Sequence, residues 1–249
     1  YSPYVQVVVT IFMMLFGTNF AFYYLIIARK LKDAFCMEEV KLYFGIFAAA
    51  TLLITINILS QIGNVGDSLR HAAFQVASIM TTTGFATADF DKWPEFSRTL
   101  LVFLMFVGAC AGSTGGGIKV SRILMYMKTI KKKLAILKHP RSVKVVLIDG
   151  KKLDHPVVRA ANIFLISYAG ILALSILLLS IDNFDFTTNV TAVISALNNI
   201  GPGLSLVGPS GNFAFFSGFS KYVLMFDMLA GRLEIFPMLL LFVPYTWKK

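Results

Sequence analysis

The chain has 249 residues, 57% of them hydrophobic and only 14% charged, with a mean hydropathy of +0.73. Soluble domains carry about a quarter charged residues, and apolar stretches long enough to cross about 30 Å of hydrocarbon recur here, so the composition excludes an ordinary soluble domain and points to an integral membrane protein. The net charge of +10 calls for no nucleic acid: apart from Arg70, Lys92, Arg98, Lys221 and Arg232, every basic residue falls within 29–41, 119–159 or 248–249, between or beside apolar segments, which is the positive-inside bias of a multi-pass protein.

Taken in chain order, the apolar segments predict crossings at about 4–27, 42–59, 99–127, 160–181 and 222–244, the third long and interrupted. With the basic segments cytoplasmic, the first span runs inward, and the second and third, then the fourth and fifth, form out-and-back pairs. Because no signal peptide precedes the first span and the first residue is Tyr1, the sequence is expected to start partway through a longer protein. Cys36 and Cys110 are isolated and fit neither a metal spacing nor a disulfide framework. His71, His139 and His155 are scattered, and neither a nucleophile–base pair nor paired carboxylates at membrane depth emerges, which argues against an enzyme.

Between the members of each pair lies a helical piece too short to cross, at about 70–83 and 186–199. Each ends in polar residues and a glycine and suits a re-entrant segment that enters from outside and stops halfway. The units echo one another. Ser78 and Gly84 are spaced like Ser195 and Gly201, Leu104-Met105-Phe106 returns as Leu224-Met225-Phe226, and Ala111-Gly112 returns as Ala230-Gly231. Phe12-x-Met14-x-x-Gly17 in the first span matches Phe103-x-Met105-x-x-Gly108 in the third. The first span therefore reads as the second helix of an earlier repeat.

A short helix aims its partly negative C-terminus at whatever follows it. After the first re-entrant helix comes Thr81-Thr82-Thr83-Gly84-Phe85, and after the second Asn198-Asn199-Ile200-Gly201-Pro202. Either could run extended with carbonyls facing a pore, where a ring of carbonyls replaces the hydration shell of a cation. The plain alternative for each is a helix C-cap leading into an outer loop. Two copies in equivalent places favour the filter.

The motifs TTTGFATADF, GACAGSTGGGIKVSR, NNIGPG and DMLAGRLEIFPML together resemble the Trk-type potassium uptake proteins of the Trk/Ktr/HKT superfamily, over nearly the whole chain. The resemblance implies an all-α membrane protein, potassium-channel-like, of four helix–pore helix–filter loop–helix repeats, two of them present here. Residues 1–30 would close an earlier repeat. Residues 31–127 would form a repeat with pore loop 70–88 and a broken second helix, 128–159 a basic cytoplasmic linker, and 160–249 the last repeat with pore loop 186–204. K+, the transported ion, would meet Thr82, Thr83, Gly84, Phe85, Asn199, Ile200, Gly201 and Pro202.

The run Gly112, Ser113, Thr114, Gly115, Gly116, Gly117 interrupts the third span. It fails as a phosphate loop, because Lys119 comes one residue late and no Ser or Thr directly follows it. Successive glycines favour a broken helix, with a small-residue packing stripe as the alternative. The resemblance implies a gating loop beneath the filter, and an Arg232 that faces the pore at the same site. Buried structural Arg is the alternative for Arg232, with Asp227 and Glu234 badly spaced as partners. Lys119 could lie at a similar level. Asn19 and Asn57 read as interhelical hydrogen bonds. In the basic segment, Lys131-Lys132-Lys133, Lys138, Arg141, Lys144, Lys151 and Lys152 read as solvated charge with some contact to anionic lipid, and residues 143–150 as a strand and turn.

As a whole the resemblance implies potassium uptake across the cytoplasmic (inner) membrane without an organic cofactor. It further implies a homodimer contacting membrane lipid and a cytoplasmic nucleotide-binding regulatory subunit of the TrkA/KtrA kind. Sodium conduction, sodium–potassium symport or a non-conducting assembly subunit are the alternatives.

Overall fold

The computed structural model describes residues 2–139, 145–233 and 235–240. Tyr1, Arg141, Lys144, Glu234, Lys248 and Lys249 lie outside the described residues, as do residue 143 of the expected strand and 241–244 of the expected fifth span.

The expected first span is two helices, α1 (Pro3–Phe16) and α2 (Phe20–Ile27), set 89° apart. The break has a local cause. Asn19 Oδ1 accepts a 2.8 Å hydrogen bond from Ala21 N and so caps a new helix. Backbone groups at the break pair with a distant loop instead, Cys110 N donating to Gly17 O (3.0 Å) and Phe20 N to Gly112 O (3.2 Å). After the short α3 (Leu31–Cys36), α4 (Glu38–Ile62) is a continuous apolar span that stops at Gly63, whose φ of +73° gives a left-handed cap. Asn64 then caps α5 (Val65–Met80) by accepting from Gly66 N at 3.0 Å. This helix starts five residues before the expected 70, because the cap and not hydropathy sets its start.

The expected third span is divided into α6 (Glu95–Phe106) and α7 (Val120–Lys138). Helix α7 carries on well past 127, so the first third of the expected linker is helical; lysines keep helix propensity and simply leave the apolar phase. The linker then forms a hairpin of β1 (Leu147–Ile148) and β2 (Lys151–Lys152) around Asp149-Gly150, both with positive φ, as a two-residue hairpin turn requires. It is docked: Asp149 Oδ1 accepts from Glu38 N (2.8 Å), and Lys128 Nζ donates to Leu147 O (2.6 Å) and pairs with Glu38. Helix α8 (His155–Leu179) is the second uninterrupted apolar span, followed by α9 (Phe186–Asn198), α10 (Gly218–Arg232) and the short α11 (Phe236–Leu240). Arg232 therefore closes a helix, where the sequence places it mid-span.

At 1.5 Å per residue, α5 and α9 reach only about 24 and 20 Å, short of a bilayer's hydrocarbon core. They are the most thoroughly enclosed helices: on α5 Phe74 to Met80 is buried without interruption, and on α9 the same holds from Thr191 to Asn198. Helices α4, α5, α6 and α1 enclose one core around Ile54, Ile79, Met80 and Met105, which Ile194 and Ile200 enter from the second half. Helices α8, α9 and α10 enclose others. Outward faces carry exposed Ile56, Ile166 and Leu177, as a lipid-facing surface would. The two expected interhelical asparagines are both bonded: Asn57 Oδ1 accepts from Ser97 Oγ (2.7 Å), and Asn19 Nδ2 donates to Glu39 Oε2 (3.3 Å).

The entry to α9 yields a test. Asp185 accepts from Thr188 N at 2.9 Å and from the Thr188 hydroxyl, which hold its carboxyl below the ordinary carboxylate value. A carboxyl depressed on folding adds stability above its unfolded value and loses it as pH falls through the folded one. Asp185→Ala is expected to cost about 1 kcal/mol at neutral pH, read by thermal unfolding in detergent, and the gap to the parent protein should shrink in acid below about pH 4.

Candidate functional site at the paired turns

Helices α5 and α9 end in the same way. Thr82 N donates to Ile79 O (3.1 Å) and Thr83 N to Ser78 O (2.9 Å); Asn199 N donates to Ala196 O (3.0 Å) and Ile200 N to Ser195 O (2.9 Å). Thr82 (φ +54°) and Asn199 (φ +56°) are both left-handed, and two residues later so are Gly84 (+78°) and Gly201 (+114°). The second residue of each expected extended stretch is therefore left-handed, because the last carbonyls of the helix need partners. Such a φ is uncommon for a β-branched threonine. One serine staples each turn, Ser78 Oγ donating to Phe85 O (2.5 Å) and Ser195 Oγ to Gly201 O (2.6 Å).

The turns touch. A Cβ added to Gly84 would lie 2.1 Å from Ile200 O, so only a glycine lets the two backbones come this close. The structure thus brings Thr82, Thr83, Gly84 and Phe85 beside Asn199, Ile200, Gly201 and Pro202, with two helix C-termini, each partly negative, at the same place.

Beneath them lies the loop between α6 and α7. Its roots are pinched together by Gly108 N to Ile118 O (2.9 Å) and Val120 N to Ala109 O (3.2 Å). Its glycines press on both turns: Gly116 N donates to Thr82 Oγ1 (2.8 Å), and a Cβ on Gly116 would meet Asn198 O at 2.5 Å. The bond to Thr82 Oγ1 also holds the strained threonine. Arg232 Nη1 donates to Thr114 O (3.1 Å), and Lys119 Nζ bonds Gly115 O. Arg232 and Lys119, left unrelated by spacing alone, line one polar cavity of about 230 Å³ together with Ser113, Thr114 and Phe164. Asp227 is no partner of Arg232: it is buried and accepts from Ser175 Oγ (2.7 Å).

Sequence reasoning passed over Glu39. It is buried, and its Oε1 accepts from Ala111 N (2.6 Å) and Ser121 N (3.0 Å). The available signal was an acidic residue at the head of an apolar span in a chain with only 13 acids.

The sequence model of the TrkH family, described as a cation transport protein, matches residues 52–249. The chain is 35% identical to the Trk system potassium uptake protein TrkH of Salmonella typhimurium, an alignment covering 100% of this chain and 52% of that protein. It is 31% identical to the Trk system potassium uptake protein TrkG of Escherichia coli, covering 98% and 50%. The crystal structure of the potassium transporter TrkH from Vibrio parahaemolyticus superposes with a TM-score of 0.90 at 34% identity, covering 99% of this chain and 53% of that one. The chain spans about half the length of the curated relatives it matches.

Two glycines separate backbone strain from close approach. Gly63 has a φ of +73° and nothing within 4 Å of an added Cβ, whereas Gly84 has a similar φ and a carbonyl in the way. Gly63→Ala is expected to cost about 1–2 kcal/mol, and Gly84→Ala at least twice that, measured as the drop in thermal unfolding of the detergent-solubilised protein.

Proposed function

The chain belongs to the TrkH family of cation transport proteins, and from that premise we propose that it supplies half of a potassium uptake pathway in the cytoplasmic membrane. The observation that carries this reading is the pair of matching turns, each closing a buried short helix, that meet backbone to backbone above a glycine loop. K+ would shed water onto carbonyls of Thr82, Thr83, Gly84 and Phe85 and of Asn199, Ile200, Gly201 and Pro202. Inward movement is favoured by about 2.3 kcal/mol per charge per 100 mV of membrane potential. The transported ion is the only non-protein species the reading requires, and no bond chemistry is involved.

The halves 31–127 and 160–249 would be two of four repeats around the pathway. An apolar groove of about 640 Å³ beside Ile200, Gly201, Leu224 and Met225 is open along the second turn, as expected where a neighbouring repeat packs. The loop at 112–117, held between Thr82, Asn198 and Arg232, would block the path in the resting state and move aside to open it. The Arg232 guanidinium would add an electrostatic barrier to cations and, through Thr114 O, keep the loop in place. The docked hairpin at 147–152, exposed and carrying Lys151 and Lys152, is the candidate contact for a cytoplasmic nucleotide-binding subunit, and a homodimer is the expected assembly.

Rubidium uptake by the full-length protein in cells lacking their own potassium uptake tests the reading. Gly84→Ala should abolish uptake while leaving some assembled protein in the membrane. Arg232→Gln, which weakens a charged hydrogen bond worth about 1.5–3 kcal/mol, should raise uptake roughly tenfold. Uptake unchanged by both would leave a non-conducting assembly subunit. Equal competition by sodium and potassium would replace potassium uptake by sodium conduction.

A further inference from the structure

The distal half of the loop between α6 and α7 rests on the paired turns, but its roots depend on one side chain from elsewhere. Glu39, the second residue of α4, is 6% exposed. Its carboxylate accepts from Ala111 N (2.6 Å) on the near limb of the loop, from Ser121 N (3.0 Å) in the first turn of α7, and from Asn19 Nδ2 (3.3 Å) at the α1–α2 break. The three donors come from three elements, none of them α4. Ser121 N is one of the amides that a helix start leaves without an intrahelical acceptor, and the partly positive end of α7 favours a negative partner. A buried carboxylate is tolerable only when such donors are in place. Asn19 takes part twice, since its Oδ1 caps α2 through Ala21 N (2.8 Å). Backbone bonds from Cys110 N to Gly17 O (3.0 Å) and from Phe20 N to Gly112 O (3.2 Å) complete the junction.

We propose that Glu39 is the positioning residue of the loop: it fixes both roots to the α1–α2 break and so sets the blocking position of residues 112–117. This rests on the gating reading given above. The near root, the start of α7 and the break are tied to one carboxylate, so the loop cannot swing away from the turns without losing charged hydrogen bonds. Weakening that carboxylate should shift the loop toward its displaced position without altering the turns, which Glu39 does not touch.

The test uses the full-length protein with every native cysteine, Cys36 and Cys110 among them, replaced by Ser or Ala and with Thr114→Cys, reconstituted in liposomes. The exposed position 114 keeps its carbonyl for Arg232, and its reaction with a membrane-impermeant methanethiosulfonate reads loop position independently of transport. Glu39→Gln removes the charge and one acceptor. Asn19→Asp keeps the α2 cap but withdraws a donor and sets a second carboxylate against Glu39, so it carries the test if Glu39→Gln does not fold. Each is expected to speed the thiol reaction about tenfold, the scale of one charged hydrogen bond. In single-channel records of the same variants without Thr114→Cys, open probability should rise with unitary conductance and the potassium-to-sodium permeability ratio unchanged, a pattern that general destabilisation does not produce. Thiol rates equal to the parent's in the folded variants overturn the assignment. A faster thiol reaction with unaltered open probability keeps the anchoring role and overturns the loop's part in gating.

Discussion

Three stretches of backbone occupy one small volume, and the structure depends on their having no side chains in the way. Gly84 lies against the Ile200 carbonyl, and Gly116 against that of Asn198, closer than any Cβ would allow. Two turns that close separate helices and a loop that divides a third therefore contact one another through peptide groups. Peptide groups are obligatory hydrogen-bonding groups. Such an arrangement persists only if its donors and acceptors are met locally, and Ser78, Ser195 and Thr82 meet several of them from within.

That constraint explains why the helices around the site are short or broken. Helices α5 and α9 stop at left-handed residues so that their last carbonyls are capped and the chain can turn back. The path from α6 to α7 leaves the helix at Val107 and returns at Val120, with Gly108 and Ile118 paired across the gap. The break between α1 and α2 is stabilised by the same loop, through Gly17 O and Gly112 O. Irregular backbone inside a membrane is tolerated where protein or a water-filled cavity receives it. Here protein receives much of it, while the polar cavity beside Arg232 and Lys119 and the groove along the second turn leave parts open.

Charge is used sparingly around this junction. Glu39 holds the roots of the loop, while Arg232 and Lys119 donate to its carbonyls at Thr114 and Gly115. Glu38, next to Glu39, joins the hairpin at 147–152 through Asp149 and Lys128. Adjacent residues at the head of α4 thus touch both the hairpin and the loop.

Membrane class, the uninterrupted spans α4 and α8, the two short enclosed helices and the glycine-rich interruption were legible from sequence, because each follows from local hydropathy, length and glycine content. The correspondence of Ser78 with Ser195 and of Gly84 with Gly201 was legible too, since their spacing within each copy is preserved. Other features were out of reach. The start of α5 at Asn64 and the helical course of α7 through its lysines have local causes, a cap and helix propensity, that hydropathy does not register, whereas the backbone pairing at the Asn19 kink and the seat of Arg232 on Thr114 O join residues far apart along the chain. Glu39 shows the same limit most clearly: by sequence it is a charge at a helix start, and only the folded chain brings Ala111, Ser121 and Asn19 to it. Sequence by itself determined which segments are apolar, short or glycine-broken, because those properties reside in neighbouring residues. The tertiary structure alone decided which carbonyls meet which glycines and which donors surround each buried charge, because those contacts join segments that the sequence leaves far apart.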